Sequence, residues 1–367
     1  MVKGELSQSL IISTVGVLLA GCSPRVATSF WKIGTEADSV REGYAVMAEG
    51  KKVRHCYPIT EWTDTMPNYV GKNDTYHQLH HHGVAVESEQ MAYRIYFDKK
   101  QTIDPYCKRH PQLELAQSHW YPNDSLLALG YGDDILRVSG TVGAGSVKYW
   151  NGKLCHIEPV AERSQRIVQS KKDQATIEVA VKGWEVPRLQ IADCRLQIAD
   201  CGLQVSDFRL QIVDLAVRYT MLAGHRDMRC DVEVSEPVEG LCTGVQTIPA
   251  KGANHQSSII NLQLENGVLL ASWGTDWPVN DSAKYAKETV GLGVFIPEEF
   301  AGELVQDKQN SLCLLKQPSV VSHQPSDLRA RAHFYLTCCG ATKEEKPVAT
   351  NAEEWLAYLR KWAAKLK

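Results

Sequence analysis

Three features of the chain predict an all-β protein, a large antiparallel β-sandwich with one C-terminal helix. Apolar and polar side chains alternate strictly in Ile177-Glu-Val179-Ala-Val181 and Met228-Arg-Cys230-Asp-Val232-Glu-Val234, the pattern of a strand with one face in a core and one in water. Clusters of Gly, Pro, Asn and Asp punctuate the chain, as in Tyr121-Pro122-Asn123-Asp124 and Gly130-Tyr131-Gly132-Asp133-Asp134, and they mark short strands joined by turns. Helical periodicity is scarce until the end of the chain. There Asn351 is placed to cap a helix over 351–366, whose Trp355, Leu359, Trp362 and Leu366 form one apolar stripe.

The 367 residues, 44% apolar and 23% charged, suffice for a large core. A net charge of -3 gives no basic surface with which to replace the counterions of a nucleic acid. Lys3 precedes an apolar run, Leu10 to Ala20, of signal-peptide length. It ends in Leu19-Ala20-Gly21-Cys22, which resembles a bacterial lipobox. Residues 1–21 are then a removed signal peptide and Cys22 takes the lipid, so the protein is exported and held to the cell envelope, on its periplasmic side or at the outer membrane. The other reading is a plain cleaved signal with an incidental cysteine. The ten further cysteines contain no C-x-x-C pair and no metal-ligand spacing, so buried thiols are expected rather than a disulfide framework.

Taken in order, 22–70 carries N-terminal strands and loops, with Thr60 to Asn68 reading as an exposed loop, and 71–367 is the sandwich. The densest chemistry is Asp74 to Phe97, D-T-Y-H-Q-L-H-H-H-G-V-A-V-E-S-E-Q-M-A-Y-R-I-Y-F. Read as one strand from Val84, Glu87 and Glu89 share a face with Met91, Tyr93 and Ile95, while Arg94 and Tyr96 share the other with Val86 and Ala92. Asp104-Pro105-Tyr106 reads as a loop. From Arg188 to Leu215 runs a seven-residue repeat (R-L-Q-I-A-D-C twice, then G-L-Q-V-S-D-F and R-L-Q-I-V-D-L). Its apolar residues fall on no single helical stripe, and an odd period flips strand faces at each copy, so it reads as an expanded loop insertion. Strands resume at Ser258 to Leu264, Gly267 to Trp273, Thr289 to Ile296 and Ala332 to Thr337. Between the second and third lie Trp273, Asp276 and Trp277, where paired indoles suit either a sugar face or a sheet edge.

Four histidines, His77, His80, His81 and His82, invite a metal, but adjacent histidines on an extended chain point apart and no acidic or cysteine partner motif completes a site. One histidine acting in proton transfer is the stronger reading. His82, before Gly83, and His225, within Gly224-His225-Arg226-Asp227, are the candidates, each weighed against a turn-stabilising role. Arg94 and Arg226 suit the carboxylate of a uronate, and Tyr96, Tyr93 or Tyr106 the protonation of a leaving oxygen. The bland alternative pairs Arg94 with Glu87 or Glu89. Those two carboxylates suit hydrolysis poorly, since inversion needs them on opposite sides of the bond.

The segments H-H-G-V-A-V-E-S-E-Q-M-A-Y-R-I-Y-F-D-K-K-Q-T-I-D-P-Y, W-Y-P-N-D-S-L-L-A-L-G-Y-G-D-D-I-L, Y-T-M-L-A-G-H-R-D, W-G-T-D-W-P-V and K-E-T-V-G-L-G-V-F-I-P together resemble the bacterial domain of unknown function 4861. The resemblance runs from about Tyr76 to the C-terminal helix. The repeat from Arg188 and Cys107, where a glycine is usual, depart from it. It implies a galactose-mutarotase-like sandwich and a place among polysaccharide-utilisation genes for acidic glycans. The function expected is therefore an exported lipoprotein acting on acidic oligosaccharides by lyase- or dehydratase-type elimination. Glycoside hydrolysis and non-catalytic glycan binding are the alternatives. His82, His225 and Tyr96 are the expected catalytic residues, and Arg94, Arg226, Glu87, Glu89, Tyr106, Trp273, Asp276 and Trp277 the expected substrate contacts. No cofactor or metal is expected, and the partners are the oligosaccharide and, through the lipid anchor, the membrane.

Overall fold

The computed structural model describes residues 25–34, 45–49, 52–64, 75–118, 120–186, 211–249, 258–320 and 329–366. The signal segment, Cys22 and the repeat over 188–210 lie outside them. Strands dominate and pair antiparallel throughout. The first sheet runs β1 (Val26–Ser29), β6 (Gly83–Ser88), β7 (Met91–Tyr96), β8 (Ile103–Cys107) and β9 (Asp133–Asp134). A second runs β11 (Leu154–Cys155), β10 (Lys148–Trp150), β16 (Leu241–Gln246), β21 (Asn310–Leu315) and β20 (Ala301–Gln306). The third and largest runs β17 (Ser258–Leu264), β18 (Gly267–Asp276), β19 (Glu288–Pro297), β23 (Arg329–Gly340), β15 (Met228–Val234), β14 (Ile212–Leu222), β13 (Gln174–Glu185), β12 (Glu162–Ser170) and β5 (Glu61–Asp64), with β22 (Ser319–Val320) beside β23. A small sheet joins β2 (Trp31–Gly34), β4 (Lys52–Pro58) and β3 (Ala45–Glu49). The main core lies between the largest sheet and the first two, with Val217, Val232 and Phe334 on one side and Val86, Tyr93, Ile95 and Val245 on the other. This is the antiparallel sandwich that the alternation predicts.

Helix α3 (Ala352–Ala363) packs on the other face of the largest sheet, where Trp355, Leu359 and Trp362 meet Leu269 and Phe295. The approach is close enough that a Cβ on Gly291 would lie 2.7 Å from the Trp355 ring. Asn351 caps the helix by accepting from the Glu354 amide at 2.9 Å, while Glu354 reaches back past the cap to the Thr350 amide at 2.8 Å, a close relative of the capping box. Asn351→Ala is expected to cost about 1 kcal/mol, read as a lower urea midpoint at unchanged slope.

Several boundaries differ from the sequence reading. The chain before residue 71 is joined to the sandwich by pairing, since β1 pairs β6 and β5 pairs β12; Glu61–Asp64 is thus an edge strand within the stretch expected as loop. Asp104-Pro105-Tyr106 is not a loop but the middle of β8. Pro105 is tolerated because the ladder bond from the Tyr96 amide to the Thr102 carbonyl puts Tyr93↔Pro105 at a non-hydrogen-bonded position. The end of the repeat is also strand, because Ile212–Leu215 opens β14. The eight described cysteines are free, and all but Cys155 are buried.

Candidate functional site

The stretch 83–97 is a hairpin rather than one strand, and this reverses the expected faces. The turn at Glu89 and Gln90 sets Glu87 opposite Ala92, Ala85 opposite Arg94 and Gly83 opposite Tyr96. Opposed residues share a face, so Glu87 lies with Arg94 and Tyr96, while Val86, Tyr93 and Ile95 enter the core. Across β8 the same polar face continues through Asp104, Tyr106 and Lys108.

Gln112, Glu114, Leu115, Trp120, Gly132 and Asp134, from the stretch that also carries the exposed α2 (Asp124–Ala128), bond onto that face, and most of it is out of water. Arg94 is 2% exposed and Asp104 0%. Nη2 of Arg94 donates to Asp104 at 2.5 Å and to Asp134 at 3.0 Å, and Nη1 donates to the Trp120 carbonyl at 2.6 Å. Burial, with the neighbouring Asp104 charge, pushes Asp134 well above the carboxylate range, and burial raises Asp104 against the pull of Arg94. One guanidinium cannot neutralise both carboxylates, so burial favours the protonated form of the pair more than it would for free carboxyls. Glu87 binds Lys108 and accepts from the amides of Glu114 at 2.8 Å and Leu115 at 3.1 Å. Tyr106 donates to the Gly132 carbonyl at 2.8 Å. Arg94, Glu87 and Tyr106, expected as substrate contacts, are therefore occupied with holding that stretch.

Beyond this network, at the Gly83↔Tyr96 end of the hairpin, the side chains become half-buried. His82 follows α1 (Thr75–Gln78) and sits at φ +60°, a left-handed conformation uncommon for a side-chain-bearing residue. It leads the chain into β6, where a Cβ on Gly83 would lie 1.9 Å from the Ile95 carbonyl oxygen. The His82 ring is stacked between Tyr76 (centroids 3.9 Å apart) and Trp120 (4.4 Å). Tyr96 meets it edge-on at 5.9 Å. Nδ1 of His82 donates to the Tyr76 carbonyl at 3.0 Å, so in the neutral ring the basic lone pair is on Nε2. The Tyr96 hydroxyl donates to Asp104 at 2.8 Å. Burial, and then Asp104, push Tyr96 well above its ordinary range. Tyr121, 40% exposed, and Tyr285 extend the rim with ring centroids 5.7 Å apart.

Lys100 brings a cation to this rim, 5.6 Å from the centroids of both Tyr76 and Tyr96 and 3.2 Å from Asp98. Its turn is braced from behind by two buried basic side chains. Lys148 donates to the Lys100 carbonyl and to Thr102 Oγ1, and Arg163 to Gln101 Oε1. Burial pushes Lys148 down to about 7. Because the folded value is depressed, Lys148's contribution is fully present only above its unfolded value near 10.5 and is lost as pH falls toward about 7. Stability is thus expected to rise from pH 7 to 9.5 by up to about 1.4 kcal/mol per pH unit from this group, and Lys148→Met is expected to flatten that rise in thermal unfolding.

The remaining candidates lie elsewhere. Ser88 Oγ donates to the His225 carbonyl at 2.5 Å, and the Gly224 amide donates to Glu89 at 3.0 Å. His225 therefore sits at the turn end of the hairpin, six residues and about 20 Å from His82 along an extended strand. The two histidines do not share a site. The His225 side chain is 50% exposed and bonded to Asp227 at 3.1 Å. Arg226 is buried and bidentate on Glu344, Glu89 is paired with Arg25 at 2.8 Å, and Trp273 packs beside Trp355. Asp276, at the end of β18, pairs with Arg137 at 3.2 Å, and Lys287 lies 4.0 Å over Trp277, both in the loop that carries Tyr285. His81 donates to the Leu115 carbonyl at 2.7 Å, and burial holds His80 down to about 4. Among the described residues no group of three His, Cys, Asp or Glu side chains is placed to hold a metal. Sequence reasoning missed Tyr76, Lys100, Asp104, Trp120, Tyr121, Asp134 and Tyr285. The adjacent aromatics of Trp120-Tyr121-Pro122 and the acidic pair in Gly132-Asp133-Asp134 were the available signals.

The described cavities are elsewhere too. A groove of about 430 Å³ on the outer face of the largest sheet is lined by Arg218, Arg229, Arg331, His333 and Phe300. Its arginines are paired with Glu178, Asp231 and Glu233, the pattern of a solvated charge ladder.

No curated protein matches the chain. A solved protein described as belonging to glycosyl hydrolase family 38, from Enterococcus faecalis, superposes with a TM-score of 0.38 at 10% identity. The match covers 94% of this chain but 41% of that one, so this chain spans less than half of its length. Residues 36–367 match the family described as Domain of unknown function (DUF4861), and the chain belongs to that family.

Proposed function

We propose that this protein is an exported, lipid-anchored enzyme that acts on acidic oligosaccharides by elimination from a uronate, with His82 as general base. The observation that carries the reading is the fixed His82 ring, its basic nitrogen defined by the Tyr76 carbonyl, beside a tyrosine bonded to the buried carboxyl of Asp104, which shares the Arg94 guanidinium with Asp134. In such a reaction His82 Nε2 takes the proton from the carbon next to the sugar carboxylate, the electrons form the ring double bond, and the bond to the leaving oxygen breaks. Tyr96 supplies the proton to that oxygen and regains one from the Asp104 and Asp134 pair; the proton held by His82 then passes to solvent and the pair takes one back, which restores the enzyme. Since the guanidinium forks of Arg94 and Arg226 are engaged by protein carboxylates, Lys100 takes their expected role toward the substrate carboxylate. Trp120, Tyr121 and Tyr285 offer ring faces for sugars. Buried Nε of Arg94 and Oδ1 of Asp104, which have no hydrogen-bond partner among the described residues, add polar groups of a kind that rarely goes unpaired without a functional reason.

Hydrolysis has less support, because Asp104 and Asp134 meet the same nitrogen of Arg94 and so cannot flank a glycosidic bond. The test is incubation with pectic and ulvan-type oligosaccharides, followed by near-ultraviolet absorbance and mass spectrometry. An unsaturated product formed without uptake of water is expected. Binding with no new product would leave a glycan-binding lipoprotein, and products that have gained water would make it a hydrolase.

A further inference from the structure

The hairpin that ends in the His82 site ends, at its other tip, beside the start of β1. Strand β1 pairs with β6 so that Val26 lies opposite Ser88 and Ser29 opposite Ala85. Arg25 is pinned there through its amide, its carbonyl and its side chain. Its amide donates to the Lys172 carbonyl at 3.1 Å, its carbonyl accepts from the Glu89 amide at 3.1 Å, and its side chain binds Glu89. Only Ser23 and Pro24 separate Arg25 from Cys22, so the two α-carbons lie within about 11 Å of each other even when the chain is fully extended. A lipid on Cys22 therefore has almost no slack. From this geometry we infer that the lipid anchor fixes the orientation of the molecule, with the end carrying Arg25, the Lys171–Asp173 turn and the Gly224–Asp227 turn against the bilayer and the His82 site facing away.

The inference rests on the lipid-anchored reading of Cys22. Two further observations agree with it. The Ala223 amide donates to the Asp173 carbonyl at 2.9 Å, which makes the two turns and Arg25 one continuous end of the sandwich. Exposed Lys171, Lys172 and Lys346 stand on that end, Lys346 through the small cavity it lines with Glu89 and Arg226, and lysines there suit anionic headgroups. The rim residues Lys99 and Lys100 belong to the β7–β8 turn, at the opposite tip. An oligosaccharide then reaches the site from the aqueous side without passing between protein and membrane.

The test is lysine acylation by a water-soluble reagent, read by mass spectrometry on the full chain. The chain purified with its anchor and held in vesicles of phosphatidylethanolamine and phosphatidylglycerol is compared with the Cys22→Ala chain in solution. Severalfold protection of Lys171, Lys172 and Lys346 in vesicles, with Lys99 unchanged, is the expected result. Uniform protection, or protection of Lys99 instead, overturns the orientation. Absence of acyl chains on Cys22 by intact mass overturns it at its premise, and leaves the elimination reading to stand or fall on its own assay.

Discussion

Replacing His82 by asparagine is expected to lower turnover by about 10²–10⁴-fold, the usual contribution of a positioned general base, while the protein still folds. Asparagine is chosen because it tolerates the left-handed backbone that His82 adopts at φ +60°. The ring's stacking between Tyr76 and Trp120 is lost, which costs about 0.5–1.5 kcal/mol of stability, far less than the fold has to lose. His225→Asn is the companion variant. Its ring is half exposed and bonded to Asp227, so turnover is expected to stay at the parent level. Turnover by His82→Asn equal to that of the parent, with an unchanged pH profile, would remove His82 from the mechanism.

Arg94→Met is expected to destabilise the protein by about 3–5 kcal/mol, because it removes one partner of a buried charge cluster and leaves the others in place. Asp104 and Asp134 would then face each other without a cation, and the Trp120 carbonyl would lose its donor. The pH dependence gives the assignment a second check. Both carboxyls have folded values raised above the unfolded ones, so the stability they contribute is fully present below about pH 4 and is lost as pH rises through the folded values. The deficit of the variant is therefore expected to shrink as pH falls toward 4 in denaturant titrations. A substrate-binding arginine, by contrast, would give a variant of near-parent stability whose KM alone is raised.

The fold was legible where one face of a strand meets water. Strands β13 and β15 and helix α3 follow directly from alternation and from the Asn351 cap, since each has a polar side to contrast with its apolar one. Legibility failed where both faces are covered. The hairpin of β6 and β7 is met on its polar side by Glu114, Leu115, Trp120 and Asp134, so Glu87 and Arg94 carry the sequence signature of ligand-facing residues although their partners are Lys108, Asp104 and Asp134. The reading of one continuous strand erred at Glu89 and Gln90 because that turn contains neither glycine nor proline. Of the expected site, His82 and Tyr96 come together, as adjacent chemistry on paired strand ends should. His225 and Arg226 do not, because sequence motifs carry no distance; the bonds from Ser88 to the His225 carbonyl and from the Gly224 amide to Glu89 place them at the far tip.

The most direct test of the central claim is a crystal structure of His82→Asn with a bound acidic oligosaccharide. The account predicts a uronate over position 82, its carboxylate near Lys100 and a sugar face on Trp120 or Tyr121. An oligosaccharide bound instead in the arginine-lined groove of the largest sheet, with the His82 rim empty, would contradict it.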